Sequence, residues 1–195
     1  GKKTLIERNI EILLDNDFNN LVINTSYLSH MIKDHVSKTF PLVDIEYSEE
    51  DEPLGTGGGV LKALDLLGQE HFLLVNADLC HEIKIKNLTQ EVQSAHLVGV
   101  KNPDHNPDGD FSLDGNTVVI KTGQNDLTWS GISIINPAIF NNLNGRVGSF
   151  EIWDSVLKDQ IQNRTVTGEF SQKSWIDTGT IDRLELANNT VTDEN

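Results

Sequence analysis

Cysteine occurs once in these 195 residues, at Cys80. A lone thiol excludes an intramolecular disulfide and a cysteine-rich metal site. Basic side chains are scarce too: 15 Lys and Arg stand against 30 Asp and Glu, a formal net charge of −15. That balance argues against nonspecific nucleic-acid binding and against docking on an anionic membrane, both of which need clustered positive charge. It leaves room for a small anionic substrate, because a metal ion and backbone N–H groups supply local positive potential. No apolar run approaches the roughly 20 residues that cross a bilayer, and no secretory leader is visible. The expected location is the cytoplasm. Hydrophobic residues make up 37%, low for a compact domain but above the disordered range. The length suits one domain, and no repeat or long linker divides it.

Several catalytic signatures are missing as well. Gly55-Thr56-Gly57-Gly58-Gly59 is not the dinucleotide fingerprint, because Val60 holds its sixth position. It is not a P-loop, because no Gly-Lys-Ser or Gly-Lys-Thr occurs. Gly-x-Ser-x-Gly is absent. None of the six histidines forms an i, i+4 zinc pair, and His30 and His35 miss that spacing by one. Cys80 has only His81 beside it, on the opposite face of any strand, so a nucleophilic thiol is not expected.

What the chain does contain is a succession of short helical and extended units. Residues 4–15 read as an amphipathic helix with Thr4 and Glu7 at capping-box spacing. Leu21-Val22-Ile23 reads as a strand and residues 27–38 as a second helix. Val43, Ile45 and Tyr47 alternate with acids, as in a strand near a sheet edge. A loop over 48–59 leads to a helix from Val60, closed by Gly68, and then to the strand Phe72-Leu73-Leu74-Val75, buried on both faces. Further strands are expected over 95–100, 127–135, 165–169 and 175–176. A hairpin turns at Asp114-Gly115-Asn116, and helices start at Pro137 and over 150–162. Thr180 caps a last helix, and residues from Thr190 onward form a frayed tail. Alternating helix and strand predicts an α/β fold with a mostly parallel sheet.

Two acids stand where such sheets hold ligands. Asp78 ends the strand 72–75 in Val75-Asn76-Ala77-Asp78, and Asp177 ends Trp175-Ile176-Asp177 before Thr178-Gly179-Thr180. Asp177 by itself reads better as a turn residue. A second strand-end acid raises the alternative that the two carboxylates meet and hold Mg²⁺, a cation that prefers oxygen ligands. The glycine run divides evenly between a flexible turn and a place where a ligand approaches the backbone. The preceding Glu49-Glu50-Asp51-Glu52 would repel a triphosphate, so a nucleobase or sugar face is the better guest for these glycines.

Taken together, Gly-Thr-Gly-Gly-Gly, Leu-Leu-Val-Asn-Ala-Asp, Trp-Ser-Gly-Ile, Phe-Glu-Ile and Trp-Ile-Asp-Thr-Gly-Thr resemble, in that order, the sugar-1-phosphate nucleotidyltransferases. The chain looks most similar to the branch of N-acetylmuramate-1-phosphate uridylyltransferases and mannose-1-phosphate guanylyltransferase-like proteins. The resemblance implies a Rossmann-like three-layer sandwich with a mostly parallel mixed sheet. It implies nucleotidyl transfer from a nucleoside triphosphate, UTP in preference, to a sugar 1-phosphate, with an amino sugar favoured. Asp78 and Asp177 match the family's Mg²⁺-binding catalytic acids. Gly55, Thr56, Gly57, Gly58 and Asn76 fall at the nucleotide, and Gly109, Asp110, Ser130, Gly131 and Glu151 at the sugar. Glu151 has an equal alternative as a helix-capping carboxylate.

The family opens with a strand and a glycine- and arginine-containing phosphate loop, followed by a Pro-Lys-Pro segment. None of these precedes Lys3 here. The expectation is therefore a single domain over 1–195, truncated at its N-terminus and lacking the first, central strand. Activity would be impaired, and two strand edges would be left open to a homodimer or to aggregation. The alternative is a noncatalytic nucleotide- or sugar-binding module of the same fold. A metal-dependent glycosyltransferase is disfavoured, since its Asp-x-Asp appears here as Asn76-Ala77-Asp78.

Overall fold

The computed structural model describes residues 3–88, 91–143 and 145–190. Helix α1 (Leu5–Asp15) begins on Thr4, whose hydroxyl accepts from the Glu7 N–H while the Glu7 carboxylate accepts from the Thr4 N–H. The predicted capping box is thus formed. Strand β1 (Asn20–Thr25) pairs in parallel with β2 (Asp44–Glu49), which has no other strand partner among the described residues. Helix α2 (Ser29–Thr39) between them starts two residues later than its apolar spacing predicts, because Leu28 turns left-handed at φ 57°.

Helix α3 (Gly55–Leu67) corrects a boundary. The glycines do not form a loop ahead of the helix; they are its first turn. Gly57 and Gly58 donate their N–H groups to the Phe150 carbonyl, at 2.9 and 3.2 Å. A Cβ on Gly57 would lie 2.4 Å from the Phe150 ring. Glycine is needed here because the helix start and the Phe150 segment nearly touch. Gly68, at φ 78°, closes the helix as expected.

The remaining strands are β3 (Phe72–Val75), β4 (Leu79–His81), β5 (Ala95–Lys101), β6 (Ser112–Asp114), β7 (Thr117–Val119), β8 (Leu127–Ile135), β9 (Val166–Phe170) and β10 (Trp175–Asp177). Six of them form a sheet in the order β3-β8-β5-β9-β7-β6. Apolar residues alternate across it. Leu97, Ile135 and Phe111 pack beneath Val60 of α3 and Leu157, whereas Val98, Ile134 and Ile132 pack with Leu13 of α1. Helices on both faces of a mixed sheet make the expected three-layer α/β sandwich. The expected predominance of parallel pairing is not found: such pairing is confined to β1–β2 and β5–β9, since β8 runs against both of its neighbours, β6–β7 is a hairpin and β7 runs against β9. The expected helix over 150–162 is a π-helical turn (Trp153–Leu157) continued by α4 (Lys158–Gln162). Helix α5 (Ile181–Thr190) follows Thr180, and the rest of the expected frayed tail lies outside the described residues.

Strand β3 departs from expectation: its four residues are only partly buried rather than buried on both faces. The reason is a cavity of about 640 Å³ between β3 and β1, closed by Ile6, Ile10 and Leu13 of α1 and by Val60. The β1–β2 pair and the six-stranded sheet therefore stand on either side of a gap. Each presents to it a strand edge without a strand partner among the described residues.

Candidate active site

A short antiparallel pair that sequence patterning missed brings the two acids together. β10 lies against β4 with Asp177 opposite Leu79, so Asp177 comes beside Asp78. Thr178 fastens the junction: its N–H and its hydroxyl both donate to the Asp78 carbonyl, at 2.9 and 2.7 Å. Asn9, buried on α1, donates to the carbonyls on either side of Asp78, those of Ala77 and Leu79. A Cβ placed on Gly179 would be 3.0 Å from Asp177 Oδ1 and 3.4 Å from Asp78 Oδ2, so both carboxylates reach one small volume. Burial, and then repulsion from Asp177, hold the Asp78 carboxyl above the ordinary carboxylate range, with Arg183 opposing them.

The oxygens of Asp177 are unequally engaged. Oδ1 accepts from the Gly179 N–H at 2.7 Å and pairs with Arg183 at 3.3 Å. Oδ2 faces His105 Nε2 at 3.9 Å. A cleft of about 250 Å³ opens over both acids, lined also by Asn76, Asp110, Ser130 and Gly131. Among the described residues no cluster of three or more His, Cys, Asp or Glu side chains suits a metal. Two convergent carboxylates, one already disfavouring its own charge, do suit Mg²⁺, which takes few protein ligands and keeps water and phosphate oxygens.

Asn76 lines both the acid cleft and the larger cavity. Its N–H donates to the Gly131 carbonyl at 3.0 Å, and Gly131, at φ 79°, leaves room for the Asn76 amide where a Cβ would come within 2.8 Å. Ser130 is fully buried; its hydroxyl accepts from Ile132 and its carbonyl from the Trp175 indole. On the cavity side, Gly55 and Thr56 reach the wall, whereas Gly57 and Gly58 are turned to Phe150. Glu50 faces the same wall and accepts from Asn24 and from the Leu54 N–H. Its carboxylate sits where a triphosphate would be repelled.

Other predicted positions serve as supports. Both carboxylate oxygens of Asp110 are occupied, by the Trp129 N–H and the Asn106 amide. Gly109, at φ 64°, packs against Asn102 and stands outside the cleft lining. Glu151 also lies outside it. Its Oε2 accepts from the Thr56 N–H at 3.5 Å, so it caps α3 and not the helical segment that it precedes. Burial pushes the Cys80 thiol up, in keeping with an inert cysteine. Sequence reasoning missed Asn9, His105 and Arg183. The only trace of His105 was its place between Pro103 and Pro107 in a polar loop.

The family model described as Nucleotidyl transferase matches residues 1–109. The chain is 37% identical over 180 residues to the N-acetylmuramate alpha-1-phosphate uridylyltransferase of Neisseria meningitidis, covering 87% of this chain and 77% of that protein. It is 27% identical over 145 residues to the D-glycero-alpha-D-manno-heptose 1-phosphate guanylyltransferase of Campylobacter jejuni, covering 72% and 65%. The crystal structure of HddC from Yersinia pseudotuberculosis complexed with GMP-PN superposes with a TM-score of 0.78 at 22% identity, over 96% of this chain and 85% of that one. That last likeness establishes the fold.

Proposed function

Because the chain belongs to the nucleotidyl transferase family, we propose that it transfers a nucleotidyl group from a nucleoside triphosphate to a sugar 1-phosphate. The observation that carries this reading is the convergence of Asp78 and Asp177 over a cleft that meets the larger cavity at Asn76. UTP is the favoured donor and an amino-sugar phosphate the favoured acceptor, in line with the Neisseria relative. Residues 1–195 act as one domain.

In this reading Gly55, Thr56 and Asn76 receive the nucleobase end of the donor. Glu50 turns its triphosphate away from the glycine helix and toward the acids. Asp78 and Asp177 would hold Mg²⁺, which when bound neutralises phosphate charge and aligns the reacting groups. Asp110, Ser130 and Gly131 shape the sugar side. An oxygen of the sugar phosphate attacks the α-phosphorus, the bond from that phosphorus to the bridging oxygen breaks, and pyrophosphate departs with the electron pair. The attacking oxygen is already anionic, so no side-chain base is needed. The chain contributes alignment and charge placement.

One observation favours the second reading, a noncatalytic nucleotide- or sugar-binding module: among the described residues no lysine or arginine lines either space. Calorimetric titration with UTP, GTP and dTTP in Mg²⁺, followed by a pyrophosphate-release assay with a sugar 1-phosphate, separates the two. Transfer requires binding of one nucleotide and release of pyrophosphate. Binding without release supports the module, and a folded sample that binds no nucleotide removes both.

A further inference from the structure

The acid cleft is lined by three carboxylates, those of Asp78, Asp110 and Asp177, and a sugar 1-phosphate brings a further anion to it. Its lining offers side-chain N–H groups on Asn76, Asn106, Trp129, Trp175 and His105; the Asn106 amide and both indoles are already given to protein acceptors, and of the remaining two it is His105 that stands beside Asp177. The loop that carries it, between β5 and β6, is tied down at almost every step. Asn106 donates its N–H to the Pro103 carbonyl and its amide to Asp110 and Thr128. Asn102 and Gln124 both donate to the Pro107 carbonyl. Asn125 donates to the Asp108 carbonyl, and Asp110 to that of Leu127. Gly109 takes a left-handed conformation where a Cβ would meet Asn102 at 2.7 Å.

Among the described residues the ring held by this scaffold makes no hydrogen bond. Its side chain is 40% exposed, and Nε2 faces Asp177 Oδ2 at 3.9 Å, beyond hydrogen-bonding distance. A rigid loop that aims an uncommitted imidazole at the mouth of an acidic cleft is the arrangement a binding residue needs. Asp110 and Gly109, expected to touch the sugar, then act one step removed, as the frame that sets the position of His105.

We propose that His105 is a phosphate-binding residue of this cleft, donating from Nε2 to the phosphate of the incoming sugar 1-phosphate beside Asp177. The proposal rests on the transferase reading above and adds to it the group that receives the acceptor. It assigns His105 to the acceptor and not to the nucleobase end of the donor, whose cavity it does not line.

The test is calorimetric titration of the full chain, in Mg²⁺, with N-acetylmuramate 1-phosphate and with the same sugar lacking its phosphate. The parent chain is compared with His105→Ala and His105→Gln, and UTP serves as a reference ligand. Losing a hydrogen bond to a charged group predicts that His105→Ala weakens sugar-phosphate binding roughly ten- to a hundredfold. Binding of the unphosphorylated sugar and of UTP stays unchanged, and His105→Gln, which keeps a donor, recovers part of the loss. Undiminished sugar-phosphate binding by His105→Ala overturns the assignment and leaves the transferase reading intact. An equal loss for the unphosphorylated sugar also overturns it, in favour of a packing role. If the folded parent chain fails to bind the sugar phosphate with or without UTP, both the assignment and the reading beneath it fall.

Discussion

Asp78 illustrates how a single residue can serve the site at the expense of the fold. Its carboxyl is desolvated and repelled by Asp177, and both effects raise its proton affinity in the folded chain. A carboxyl that binds its proton more tightly when folded contributes stability at acid pH, and that contribution is lost as pH rises. At neutral pH Asp78 is therefore a cost. Asp78→Asn is expected to raise the melting temperature in metal-free buffer at neutral pH. The gain should vanish once the pH falls below the ordinary carboxylate range, and thermal scans across pH check it. The same substitution removes one of the two carboxylates proposed to hold Mg²⁺ and is expected to lower turnover by roughly a hundredfold or more. A variant that is less stable at neutral pH would show that the Asp78 carboxylate is structurally satisfied, contrary to its surroundings here.

Among the elements, α3 departs furthest from its sequence reading. Five consecutive residues, four glycine and one β-branched threonine, read as a loop on propensity, since glycine is among the weakest helix formers. Packing overrides that preference. The first turn of α3 meets the Phe150 segment so closely that Gly57 and Gly58 give their N–H groups to one carbonyl. Alanine at 57 gains about 1 kcal/mol of helix propensity, but its Cβ would sit 2.4 Å from the Phe150 ring. Overpacking costs of about 1–3 kcal/mol are typical of such clashes, so Gly57→Ala is expected to be net destabilising in urea unfolding. Gly68→Ala is the control: nothing lies within 4 Å of its Cβ, and any loss there reflects its positive φ alone. If Gly57→Ala proved the more stable chain, the Phe150 segment would be movable and α3 not anchored by it.

At the scale of the whole molecule, the sheet is in two parts. β1 and β3 turn their free edges to one apolar cavity of about 640 Å³, and exposed edges are templates for strand pairing. The net charge of −15 opposes association at low ionic strength. Salt screens that repulsion while leaving the edges open. Self-association that increases with added salt is therefore expected in sedimentation velocity. A chain that stays monomeric at high salt and high concentration would show the edges to be protected.

Much of this organisation was legible in local pattern. The capping box at Thr4 and Glu7, the bounds of β3 and β8, the hairpin at Gly115 and the Thr180 cap all depend on residues close in sequence, and all are present. The motif order was enough to suggest the family and to single out Asp78 and Asp177. Tertiary structure decided which of the marked residues share a space. β4 is three residues long, too short for any period to register, yet its pairing with β10 brings together acids 99 positions apart. The Phe150 carbonyl turns a glycine loop into a helix, Gly131 makes room for Asn76, and the loop over 102–110 directs His105 into the cleft. Each of these depends on a contact between distant segments. Local propensity carries no information about such contacts, because their energy exists only once the chain has closed on itself.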